Sequence, residues 1–340
     1  MNEGKVTPEG LEGGRPGAEA VTGVNVAPGG GGPRRRRRRA EPEFRSYYDL
    51  PVINKPVWES PDIPGYLFLG GLAGAGALVA GAAQLTDRPV LARAAKVGAA
   101  AAGNLSLVAL VHDLGRPGRF LNMLRVLKVT SPMSVGSWLL AGFVPAATAA
   151  AASEVTGVLP AVGAVATTGA ALLGAPVATY TAALISNTAV PAWHTGHRWM
   201  PFVFVSSALS AAAGLGLLAA PVRETAPLVP LAVGGGLGEV ALAKTMEKRA
   251  GVVEGAYQQG RAKKLLRTAE ALTAGGALLA LAARRSRVCA AVSGAALLAG
   301  SALTRFGVFE AGMNSAEDPR YTVVPQRERL SARQETTSAG

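Results

Sequence analysis

The chain has 340 residues, 49% hydrophobic and only 16% charged, with a net charge of +12. A soluble domain carries about a quarter charged residues, and here the charges crowd the two ends and a few short connections, so a soluble globular fold is excluded. Long runs of Ala, Gly, Leu and Val between charged connections are the pattern of a polytopic membrane protein. Scarce aromatics and abundant small residues suit close helix packing in lipid.

The positive charge does not indicate a nucleic-acid partner. Arg34 to Arg39 form one arginine run inside a Gly- and Pro-rich tail, which contact with anionic lipid and the fixing of topology explain more simply. No apolar stretch follows closely enough for a twin-arginine export signal. Cys289 is the only cysteine, so the chain holds no internal disulfide, iron–sulfur cluster or thiolate zinc of its own. His112, His194 and His197 are the only histidines, too few for two stacked haems with paired axial ligands.

In chain order, residues 1–43 lack the apolar content to bury a core and are expected to be a disordered, Arg-rich tail. Residues 44–63 place aromatics between prolines and suit an interfacial approach, with Trp58 and Tyr66 at headgroup depth. About eight apolar spans follow, at 64–85, 91–112, 135–152, 159–186, 200–220, 226–246, 265–283 and 288–305. Each is near the length of about 20 residues that crosses a bilayer. Pro160 and Pro176 are expected to tilt or kink the fourth. GxxxG pairs occur at Gly70/Gly74 and Gly234/Gly238. From 307 to 340 the chain is a polar tail without a span. The predicted class is therefore an all-α integral membrane protein, its bundle occupying 44–306.

Seven of the 34 basic residues, Arg88, Arg93, Lys96, Arg223, Arg284, Arg285 and Arg287, fall on one side of this topology. The remainder lie with the two tails and the connections at 113–134, 187–199 and 244–267. The bias predicts cytoplasmic termini in a cell membrane.

The connection "HDLGRPGRFLNMLRVLKVTSPMSVGSW", His112 to Trp138, is the most informative stretch. Ser106 and Asp113, seven residues apart, share a helix face, and His112 adjoins them. Gly115 and Pro117 end the helix; Ser131 or Ser134 caps the next. One reading is a solvated loop with positive-inside charges. The other is a proton-accessible pocket in which Asp113 and His112 exchange protons, below a basic docking face of Arg116, Arg119, Arg125 and Lys128. Further on, Tyr180 lies about two turns inside the same end, with Asn187 on its face. A buried phenol needs a partner, in a neighbouring helix or in a ligand carbonyl. His194 and His197 suit an interface better than a ligand set. Glu239 is an acid inside a span, and such residues have a function or a partner; Lys244 is the candidate partner. Arg305 and Glu310 are expected to pair.

These residues resemble the NrfD/polysulfide reductase membrane-subunit family. The resemblance rests on "PGYLFLGGLAGAGAL" (64–78), the 112–138 connection, "YTAALISNTAVPAWH" (180–194) and "TRFGVFEAGMNSAEDPRYTVVPQRER" (304–329), and covers about residues 45–330. It implies a quinone-reactive anchor subunit of a multi-subunit oxidoreductase in anaerobic respiration, not catalytic alone. Menaquinone or another quinone would bind near one membrane face, with no haem and no iron–sulfur cluster in this chain. A ferredoxin-like 4Fe–4S subunit would dock there, with a molybdopterin catalytic subunit beyond. The family's tyrosine falls on Tyr180 and its "DLGRP" acid and arginine on Asp113 and Arg116. Its approach to the first span falls on Trp58 to Tyr66, where this chain offers Glu59 and Asp62. YTA replaces YTG at 180–182. Proton exchange is assigned to Asp113 and His112, and quinone contact to Tyr180, Trp58, Asp62, Arg116 and Asn187. The competing expectations are a transporter, a proton-translocating subunit, and an anchor without quinone.

Overall fold

The computed structural model describes residues 52–116 and 118–338, together with two short strands near the start. The strands, β1 (Lys5–Thr7) and β2 (Gly10–Glu12), pair antiparallel with Lys5 opposite Glu12. Apart from these six residues, the expected tail at 1–43 lies outside the described residues, as does Pro117. The chain divides into two units, Pro56–Ser315 and a smaller one made of Met1–Lys55 with Ala316–Gly340.

The larger unit is a helix bundle in two halves. The first half contains α1 (Asp62–Leu85), α2 (Pro89–Asp113), α4 (Pro132–Thr156) and α5 (Pro160–Ser186), with the short α3 (Gly118–Met123) in the connection before α4. After α6 (Pro191–Thr195) come α7 (Met200–Ala219), α8 (Leu228–Arg249), the single turn α9 (Glu254–Tyr257), α10 (Gly260–Ala280) and α11 (Arg287–Glu317). α1 packs on α2, α5 and α7 and is the hub between the halves.

Prolines and glycines set the boundaries. α2, α4 and α5 each open on a proline at the first helical position, where the missing N–H has no partner to lose. Ser131 caps α4, its side chain accepting from Ser134 N at 3.5 Å, and Gly157 closes it at φ 71°. At the face where α1 ends, Glu224 Oε2 accepts from Leu91 N at 2.8 Å and caps the start of α2. Arg287 bonds the carbonyls of Leu217, Leu218 and Ala220, covering the last turn of α7. Glu224 and Arg287 at that face therefore close helix ends.

Among the described residues, seven helices are long and apolar enough to cross a bilayer: α1, α2, α4, α5, α7, α8 and α11. The seventh expected span, 265–283, is a helix displaced toward the N-terminus. α10 begins at Gly260 and carries Arg261, Lys263, Lys264, Arg267 and Glu270 in its first turns, so its apolar stretch is short. The last span is longer than expected. α11 runs through Arg305 to Glu317, and α12 (Arg320–Ser338) follows, so much of the tail expected after 307 is helical. In that smaller unit Lys55 pairs with Glu317, and the Arg320 side chain on Asp318 holds that carboxyl below its ordinary range. α5 is continuous through Pro176, and α4 contains Pro145.

Only part of the GxxxG expectation marks close packing. A Cβ on Gly74 would lie 2.5 Å from Gly174 O, so α1 and α5 touch backbone to backbone. Gly214 of α7 and Gly294 of α11 form the equivalent contact in the second half. Gly234 faces open space, and it is its neighbour Gly235 that meets the α7 backbone.

Candidate functional site

The segment before α1 and the end of α2 meet at one face of the bundle. Asp113 Oδ1 accepts from Glu59 N at 3.0 Å, and His112 Nδ1 lies 2.5 Å from Asp62 Oδ2. The imidazole is 79% exposed at the side chain while Asp62 is 20% exposed, so the pair spans from solvent into the bundle. Three of the expected residues, Asp62, His112 and Asp113, are thus brought together. Helix continuity explains it: α1 begins at Asp62 and α2 ends at Asp113, and two antiparallel neighbours place those ends side by side.

One turn deeper, about 6 Å along the helix axis, Tyr66 of α1 hydrogen-bonds Tyr180 of α5, phenol to phenol. The rings meet edge to face, with centroids 6.5 Å apart. Both are buried. Tyr66 is therefore not the headgroup anchor expected from its position near a span end. It is the partner that the buried phenol of Tyr180 required, and the sequence reading missed it. Ser106 Oγ donates to Tyr66 O at 3.2 Å, tying α2 to the same place. Gly136, within the 112–138 connection motif, lies against the Tyr180 ring so closely that a Cβ there would overlap it.

Two phenols carry two hydrogens, and their mutual bond uses one. The other remains available to an acceptor. Thr181 Oγ1, next to Tyr180, is buried and has no hydrogen-bond partner among the described residues. Unsatisfied hydroxyls in an apolar interior are costly, and a ligand that brings an acceptor would satisfy them.

Trp58 is placed elsewhere at the same face. Its ring stacks on Trp193, centroids 5.5 Å apart, and Trp193 in turn contacts Phe309 and donates Nε1–H to Val308 O at 2.9 Å. Trp193 is fully buried and anchors the segment before α1; it stands beside His194 in a stretch that the sequence reading weighed only for its histidines. Arg116 and Asn187 are exposed, and among the described residues neither side chain bonds to the cluster. His194 Nδ1 contacts Ser186 O and His197 Nδ1 contacts His194 O, with the two rings stacked. No group of three metal-ligating side chains occurs among the described residues.

Between α2 and α4 the connection is strongly exposed. α3 buries none of its residues, and Leu121, Val126, Leu127 and Val129 are exposed among Arg116, Arg119, Arg125 and Lys128. At the opposite face a cavity of about 630 Å³ is lined by Gln84, Asp87, Arg88, Lys96, Ser153 and Glu154, among others. Lys96, 7% exposed, pairs there with Glu154 at 2.7 Å. None of the expected site residues lines it.

Comparison with known families places residues 53–226, just over half of the chain, in the family described as Polysulphide reductase, NrfD. No curated protein matches the chain.

Proposed function

The chain belongs to the polysulphide reductase NrfD family, a multi-pass membrane protein of the kind that serves oxidoreductases, and from that premise we propose that it is their quinone-reactive subunit. The observation that carries the reading is the buried Tyr66–Tyr180 pair one turn below the Asp62–His112–Asp113 cluster. A quinone, when bound, supplies two-electron chemistry that requires two protons. Tyr180 or Tyr66 donates its remaining hydrogen to a ligand oxygen and orients the ring. Asp113 and the Asp62–His112 pair hold exchangeable protons between that depth and solvent. Gly136 and Gly70 leave the space in which the Tyr180 ring and Ser106 hydroxyl are held.

Electrons must come from or go to a partner, since none of these side chains is a redox centre. A ferredoxin-like 4Fe–4S subunit fits the exposed stretch after α2, where cations and large apolar side chains alternate over residues 116–129. A molybdopterin subunit would lie beyond it. Basic-residue asymmetry supports a cytoplasmic position for this face and both termini.

The test is Asp113→Asn in the assembled complex. Removal of a proton-transferring group lowers turnover by about 10²-fold or more, while the partner subunit still copurifies. Normal turnover would sink the assignment. A second reading rests on the 630 Å³ cavity, which is of ligand size: the lipid-soluble ligand sits at the opposite face against Lys96 and Glu154. A photoreactive quinone that labels α4 near Glu154 in place of α5 near Tyr180 would favour it.

A further inference from the structure

The second half of the bundle buries charge that the quinone reading does not use. Glu239 of α8 is 2% exposed and accepts from Thr304 Oγ1 at 2.6 Å and Ser210 Oγ at 3.2 Å. Arg305, the next residue on α11, is 1% exposed. Its Nη2 donates to Phe204 O at 2.7 Å, and its guanidinium lies 3.7 Å from the centroid of the Phe204 ring. Gly71 of α1 packs against it. Among the described residues, Nε and Nη1 of Arg305 have no hydrogen-bond partner, and Arg305 and Glu239 form no contact ion pair. The sequence expectations of Lys244 for Glu239 and Glu310 for Arg305 are both replaced. Lys244 pairs with Glu270, and Arg305 points inward.

A permanently ionised pair in hydrocarbon is tolerable when the charges touch and share strong hydrogen bonds. Here the carboxylate and the guanidinium are close but held apart by different partners. That arrangement leaves Glu239 free to be charged or neutral. Beside it is a cavity of about 30 Å³, lined by Glu239, Lys244, Glu247, Glu270, Thr273 and Thr304. Such a space holds a water when polar partners are present. Thr273 Oγ1, buried and without a partner, is one. Glu247 is two turns beyond Glu239 on α8, toward the face that carries the tyrosine site.

Among the described residues, charged groups face Glu239 or its cavity from three helices. α8 contributes Lys244 and Glu247, α10 contributes Glu270 with Arg267 beside it, and α11 contributes Arg305. From α7 come only the hydroxyls of Ser207 and Ser210, and Ser207 also bonds Ser301 of α11 at 2.8 Å. Lys244 and Arg267 pair with Glu270, which leaves Arg305 as the fixed cation that faces the Glu239 carboxyl.

We propose that Glu239 is an intramembrane proton-binding site, loaded through the water-sized cavity and Glu247 from the face that carries the tyrosine cluster, with Arg305 as its counter-charge when the proton leaves. The step forms one O–H bond on the Glu239 carboxylate at the expense of one on the relaying water or Glu247. No electrons move. The site stands whether or not a quinone binds at Tyr180.

Dicyclohexylcarbodiimide, which reacts with protonated carboxyls from the lipid phase, tests it on the full chain in lipid nanodiscs. Glu239 should carry the adduct by peptide mass spectrometry, with labelling falling about tenfold for each pH unit above the site's midpoint. A protonated-carboxyl infrared band should be present in the wild type and absent in Glu239→Gln. In Glu247→Gln that band should persist but exchange with D2O more slowly. Quinone-analogue binding should be unchanged in both variants. No adduct and no such band at any pH, in folded wild-type protein, would mean a permanently ionised partner of Arg305 and overturn the proposal. Equal exchange rates with and without Glu247 would overturn the route.

Discussion

The two halves of the bundle treat polar groups in opposite ways. In the first half, Asp62, His112 and Asp113 sit at a helix junction with an exposed imidazole, the groups directly below them are neutral phenols and hydroxyls, and the buried Lys96 has Glu154 in contact at the opposite face. In the second, a carboxyl and a guanidinium are enclosed by α7, α8 and α11, far from either helix end. The contrast matters because hydrocarbon is indifferent to a satisfied hydroxyl and hostile to an unpaired charge. Proton exchange in the first half requires only surface chemistry. In the second it requires a cavity and a counter-ion, and both are present.

The largest expected effect breaks the second half. Arg305→Met leaves Glu239 without its cation and should cost about 3–5 kcal/mol in unfolding measured in one detergent. Adding Glu239→Gln should recover most of it. The loss should grow as pH rises, because at low pH Glu239 can accept a proton instead.

Backbone contacts give a matched pair. Gly74→Val and Gly294→Val each force a side chain into a neighbouring helix backbone. Each should cost about 1–3 kcal/mol of stability. Only Gly74→Val should also weaken quinone-analogue binding, because α1 and α5 carry the two tyrosines. Equal effects on binding would mean that the halves are not independent.

Of similar size, but read in analogue affinity by titration, Tyr180→Phe strands the Tyr66 hydroxyl and should cost about 1–3 kcal/mol. At the bottom of the scale, Lys244→Ala removes a partly exposed pair with Glu270 on the same helix as Glu239. Its effect on unfolding should be about 0–1 kcal/mol and shrink with salt. Burial separates the two cations: Lys244 is half exposed and Arg305 is enclosed.

Composition and punctuation determined the spans and their order. A backbone in lipid must satisfy its own hydrogen bonds, so apolar length specifies helices, and prolines at 89, 132 and 160 with Gly157 mark their ends. The same logic brought Asp62, His112 and Asp113 to one face, because neighbouring antiparallel helices must join their ends. What only the tertiary structure decided is which residue faces which across the bundle: Tyr66 on Tyr180, Gly136 under that ring, Trp193 under Trp58, and Arg305 beside Glu239 in place of Glu310. These helices are apolar and small on every side, so no stripe sets their rotation. Rotation came from close glycine contacts and from the need of each buried polar atom for a partner on another helix, and neither is written in the spacing of any one segment.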